Sequence, residues 1–293
     1  MLACAPAWLA SLHPDAEPLL IVWHLTGDEH FLIEAAEKFP KVARVCYTMI
    51  YHCGIGSEEA KAWLDRLYLA RPLNPEIPFI EASALMTRKD RAGAIKALRR
   101  AAGMNHLRRT HQVNGYFTCN AAMTAGEDQA GAIRRAVAIE LREDHDALTL
   151  RTARQALLEE IQDATAAGDD QRVMDIIAIG LATALKFSDS HDIRVDLAAC
   201  DLQRKLLESL PGDTEIDAGG DTAPLPAAEM LAAVEEKRAS LEALSLRRSE
   251  ARVWLRTASP EEVFDYYMHP FGDAYATREL LEKLDKGRAQ TAH

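Results

Sequence analysis

The chain has 293 residues, of which 48% are hydrophobic and 27% charged, so it can bury a real core and is not disordered throughout. Aromatic residues make up only 6% while alanine is abundant, a mixture that suits closely packed helices better than sheets of branched and aromatic strands. The net charge of −11 argues against general attraction to nucleic acid or to anionic membranes.

From the N-terminus, Leu2-Ala3-Cys4 lacks the basic and long apolar stretches of an export signal. Nearly every later segment repeats apolar residues at i, i+3, i+4 and i+7, the period of an amphipathic helix. Breakers fall at short intervals: Gly27-Asp28, Pro40, Gly54 to Ser57, Pro72 to Pro75, Lys89-Asp90, Gly126 to Asp128, Gly168 to Asp170 and Asp189-Ser190. Helices of roughly 10–20 residues fit between them, and short helices joined by short turns make antiparallel hairpins. The longest apolar run, Ile176 to Leu185, is too short to cross a bilayer and reads as a buried helix.

Two segments repeat. Ala92-Gly93-Ala94-Ile95-Lys96 recurs 38 residues later as Ala130-Gly131-Ala132-Ile133-Arg134, each after an acidic turn and an apolar helix. Tyr116, Cys119, Asn120, Met123, Ala132, Ala136 and Ile139 form one unit of large and small residues; Tyr47, Tyr51, Ala60, Leu64, Leu67 and Pro72 form another. In this layout the chain resembles the tetratricopeptide-repeat superfamily over about 15–145 and more faintly over 147–209, although the family's Trp-Leu-Gly-Tyr set is never complete. The resemblance implies an all-α protein, an α-solenoid of stacked antiparallel helical hairpins. It also implies a concave groove lined by His52, Glu76, Phe79, Ser83, Asn114 and Phe117.

The expected organisation is a helical-repeat domain over 1–210, a flexible acidic Gly/Pro loop over 211–226 and a C-terminal helical segment over 227–293 that packs as a cap. Ala227 to Leu255 reads as one long helix with Met230, Val234, Leu241, Leu244 and Leu255 near one stripe. Ser259-Pro260-Glu261-Glu262 reads as a helix start, and a last helix is expected from about Ala274 to Lys286.

No catalytic constellation converges. The chain lacks a phosphate-binding loop, a nucleophile elbow and an H-E-x-x-H motif. His24, His30 and Glu34 cannot all face one metal from one helix, and His145-Asp146 and His191-Asp192 read as turn caps. No cofactor or metal is therefore expected. Cys4, Cys46, Cys53, Cys119 and Cys200 include no C-x-x-C pair and read as reduced, buried thiols of a cytoplasmic protein.

The chemically distinctive stretch runs from Arg88 to His111. It carries Arg88, Lys89, Arg91, Lys96, Arg99, Arg100, Arg108 and Arg109 against Asp90 alone, a net +7 that leaves −18 for the remainder. The expected partner-binding residues are Arg88, Arg91, Lys96, Arg99, Arg100, Arg108 and Arg109 with Asn114, Phe117 and Phe79. The first reading is a non-enzymatic module that binds an acidic protein or peptide. The alternatives are a helical-repeat protein that binds or processes nucleic acid, and an enzyme on a helical scaffold. The competing structural reading of the basic stretch is a helix face paired with acidic neighbours.

Overall fold

The computed structural model describes residues 27–104, 145–188, 193–216 and 224–255, together with Ala16, Leu19, Leu20, Val22 and Trp23. Among these residues the fold is all-α with closely packed neighbouring helices. The helices are α1 (Glu29–Lys38), α2 (Ala43–His52), α3 (Glu58–Ala70), α4 (Glu76–Thr87), α5 (Arg91–Ala102), α6 (His145–Ala166), α7 (Asp170–Phe187), α8 (Ile193–Leu207) and α9 (Ala227–Leu255). Strands β1 (Glu215–Ile216) and β2 (Leu225–Pro226) form one antiparallel pair. None of the described helices is long and apolar enough to cross a membrane. The second Ala-Gly-Ala repeat at 130–134, the helix start at 259–262 and the helix expected over 274–286 lie outside the described residues.

The chain divides into two compact units. One contains α1, α2 and α3. There α2 packs on both α1 and α3, and Leu32, Ala35, Val45 and Met49 close a core with Ala16, Leu19 and Leu20. Asp28 starts α1 by accepting a hydrogen bond from the His30 amide at 3.0 Å. Ser57 does the same for α3 from the Ala60 amide at 3.0 Å, with Glu58 and Glu59 at the positive end of the helix dipole.

The second unit comprises 73–108 and 143–251. Within it α6 packs on α4, α5, α7 and α8, and α7 packs on α5, α6 and α8. Phe79 of α4 and Phe187 of α7 meet at 4.9 Å between ring centroids at the heart of this core. Gly180 marks its tightest crossing: a Cβ there would stand 2.3 Å from Leu206 Cδ1 and 3.2 Å from Leu157 Cδ1. Leu157 and Leu206 are fully buried, so a large side chain at 180 has nowhere to go. Gly180→Leu should lower the unfolding free energy by about 1–3 kcal/mol, read from the midpoint of a chemical denaturation curve.

Two turns in this unit share one hydrogen-bond pattern. At the end of α4, Lys89 N donates to Met86 O and Asp90 N to Leu85 O, both at 2.9 Å. At the end of α6, Gly168 N donates to Thr165 O and Asp169 N to Ala164 O, both at 3.0 Å. Each satisfies the last carbonyls of one helix through a left-handed residue. The following aspartate then caps the next helix: Asp90 accepts from Gly93 N at 2.9 Å and Asp169 from Arg172 N at 3.1 Å. The left-handed position is Gly168 (φ 68°) in one turn but Lys89 (φ 64°) in the other. A side chain is strained there, so Lys89→Gly should raise stability by about 1 kcal/mol, detectable as a higher thermal midpoint.

Within the flexible acidic Gly/Pro loop expected over 211–226, the described residues at either end pair with each other. Ile216 is buried, and β1 pairs Glu215 with Pro226 and Ile216 with Leu225. The reason lies in α9, whose first amides lack partners within the helix. Ala227 N donates to Thr214 O at 2.8 Å and Ala228 N to Gly212 O at 3.0 Å. The first turns of α9 then lay Met230, Leu231 and Val234 on the core.

Candidate functional site

The basic stretch is carried by α5. Its sequence places Ala94, Ile95, Ala97, Leu98 and Ala101 inward, all buried, and leaves Ala92, Lys96, Arg99 and Arg100 exposed. Gly93 stands under the Asp90 cap, where a Cβ would lie 2.4 Å from a carboxylate oxygen. The start of α5 is thereby fixed, and with it the direction of every cation that follows.

These cations divide into two groups. Arg91 turns inward to α6, with Nη1 3.6 Å from Glu159, Nε 3.3 Å from Glu160 and Nη2 bonded to Asp163. The hydrogen bond to Asp163, with the surrounding carboxylates, holds its guanidinium pKa above the ordinary value. Arg100 pairs with Glu81 of α4. Arg88 is half-buried and engaged. For Arg91 and Arg100, pairing with acidic neighbours is therefore what the structure shows. Lys89, Lys96 and Arg99 are exposed and have no ion-pair partner among the described residues. Arg108, Arg109, Asn114 and Phe117 lie outside the described residues.

Phe79 does not belong to a partner surface. It is 1% exposed and packs against Phe187. Glu76 and Ser83, expected beside it in a groove, are buried as well. Apart from Glu81 and its last residues, α4 is buried around its circumference, so it offers no first-helix face to a ligand. Glu76 and Asn74 satisfy each other: Asn74 Nδ2 donates to Glu76 Oε2 at 3.1 Å, and Glu76 N donates to Asn74 Oδ1 at 3.2 Å. His52 is exposed and meets Trp23 edge-on at 6.4 Å.

Two ion clusters were not read from the sequence. In the first, Glu160 of α6 is gripped from two sides, by Arg91 and by Arg172 of α7, whose Nε donates to Oε1 at 3.1 Å. In the second, Asp201 of α8 gathers Arg238 of α9 at 3.2 Å, Arg154 of α6 at 3.6 Å and Arg204 of its own helix at 3.8 Å. Only the Asp201–Arg204 spacing was visible as a helical pair; the other partners come from distant segments. Lys186, at the end of α7, donates to Met104 O at 2.5 Å beyond the end of α5, and burial lowers its pKa. A cation in that place suits the negative end of the helix dipole.

No group of His, Cys, Asp and Glu among the described residues is arranged to hold a metal ion. Cys46, Cys53 and Cys200 are free thiols, with Cys46 and Cys200 buried. Burial, partly offset by Arg66, pushes the Cys46 thiol up to about 11. The folded state thus favours the protonated thiol. Its contribution to stability is complete below the ordinary value of 9.0 and is lost as the pH rises to about 11. The denaturation midpoint should fall across that window, and the fall should be shallower in Cys46→Ala. Native Cys46 should also resist alkylation at neutral pH while Cys53, which is only half-buried, reacts faster.

Compared with known protein families, with curated proteins and with solved structures, the chain has no match.

Proposed function

We propose that the protein is a non-enzymatic interaction module of the helical-hairpin kind, and that the exposed face of α5 binds an acidic segment of a protein partner. The observation that carries this reading is the division of the basic stretch. Arg91 and Arg100 are consumed by internal carboxylates, whereas Lys96 and Arg99 stand exposed on one helical turn, without ion-pair partners among the described residues, in a chain of net charge −11. Unneutralised cations attract acidic groups locally, over the screening length, even where the chain as a whole is acidic. We further propose that the hairpins stack in the tetratricopeptide-like manner, as an α-solenoid with α9 and the residues after it as a terminal cap. The shared turn at Lys89-Asp90 and Gly168-Asp169 supports this reading, as does the packing of Met230, Leu231 and Val234 on the core. The free thiols suit a reducing compartment such as the cytoplasm.

The test is binding of a labelled oligoglutamate peptide at low salt, followed by fluorescence anisotropy. Lys96→Glu with Arg99→Glu should weaken binding at least about tenfold, and screening by added salt should do the same in the parent. If the parent ignores the peptide but binds a single-stranded oligonucleotide with steep salt dependence, the nucleic-acid reading replaces this one.

A further inference from the structure

The outer face of α9 is the electrostatic complement of the outer face of α5. On α9, Glu229, Ala232, Ala233, Glu235, Glu236, Ala239, Ser240 and Ala243 are all exposed. Lys237 and Arg238 are turned partly inward, and Arg238 is held by Asp201 and Glu242. Glu229, Glu235 and Glu236 have no ion-pair partner among the described residues. On α5 the exposed positions are Ala92, Lys96, Arg99 and Arg100, with Gly103 just beyond its end, and Arg100 pairs with Glu81. One face therefore offers small residues and carboxylates, the other small residues and cations.

The spacing is also compatible. Glu229 and Glu236 lie about 10 Å apart along the helix axis at 1.5 Å per residue, with only alanines between them on that face. Lys96 and Arg99 lie one turn apart between Ala92 and Gly103. Small residues let two helix axes approach closely, and the long cationic side chains can then reach the carboxylates on either side. Both faces are exposed in the same chain, so the pairing they allow is between molecules.

We infer that the chain associates with a second copy of itself, the basic face of α5 on one molecule docking against the Glu/Ala face of α9 on the next. This deepens the proposed function, on which it rests: the acidic segment recognised by α5 is one the protein itself carries. Opposite charge on both sides steers the encounter and fixes which faces meet, and salt weakens it.

Sedimentation velocity of the full chain over a concentration series tests the inference. A concentration-dependent dimer or larger species is expected at low salt and a monomer at high salt. Lys96→Glu with Arg99→Glu should abolish association, and so should Glu229→Lys with Glu236→Lys; circular dichroism checks that both variants keep their helices. Mixing the two variants should restore a complex, because each then carries a face complementary to one on the other. A chain that stays monomeric at low salt and high concentration overturns the inference, as does a dimer unaffected by both variants. If the monomeric parent still binds the oligoglutamate peptide and loses it on reversal of Lys96 and Arg99, self-association falls while the proposed function stands. If it binds no peptide either, both fall.

Discussion

The second unit depends on a two-residue device: a left-handed residue followed by aspartate. At Lys89-Asp90 and at Gly168-Asp169 the same amides close the same carbonyls, and the aspartate at once opens the next helix. The chain reverses with no loop to fill, so α4 with α5 and α6 with α7 lie against each other along their lengths. The device also places chemistry. Arg91 follows one capping aspartate directly and Arg172 stands three residues after the other, which brings both guanidiniums to Glu160. A paired, nearly buried carboxylate would be costly if either arginine were misplaced. The turns thus determine whether the three helices can share it.

Much of this was legible because it is local. The breakers at Gly27-Asp28, Lys89-Asp90 and Gly168 to Asp170 coincide with helix boundaries, and the long helix from Ala227 to Leu255 has the bounds its sequence suggests. Local pattern failed where burial is set from afar. The segment Glu76 to Thr87 is apolar on nearly every face, so its period could not say which side meets solvent or whether Phe79 belongs to a partner surface or, as found, to the core. Counting charges showed that 88–111 is basic but not that Glu159, Glu160 and Asp163, far along the chain, absorb Arg91. The stretch after Pro211 has few apolar residues, yet Ile216 is buried and two hydrogen bonds donated by the first amides of α9 hold Gly212 and Thr214.

The division of charge gives the described surface its character. Cations that touch α4 or α6 act as internal fasteners, and those on the far side of α5 act on whatever lies in solution. An interaction of that kind is felt over roughly 8 Å at physiological ionic strength. It governs the rate of encounter and the choice of partner more than the tightness of the final complex. In the proposed association, affinity would then come from close contact between small residues on the two faces.

The second unit takes its residues from two separated stretches, 73–108 and 143–251. This has a consequence for biosynthesis. As the chain leaves the ribosome, α4 and α5 emerge long before α6 and α7, and Phe79 has no Phe187 to meet. Until then the face of α4 that meets α6 and α7 lacks those partners, a state prone to wrong contacts. The entropy of closing the intervening segment grows only slowly with its length, so the native unit forgoes little stability by being assembled this way. The burden falls on the nascent chain, which must carry the hairpin until the second stretch is synthesised.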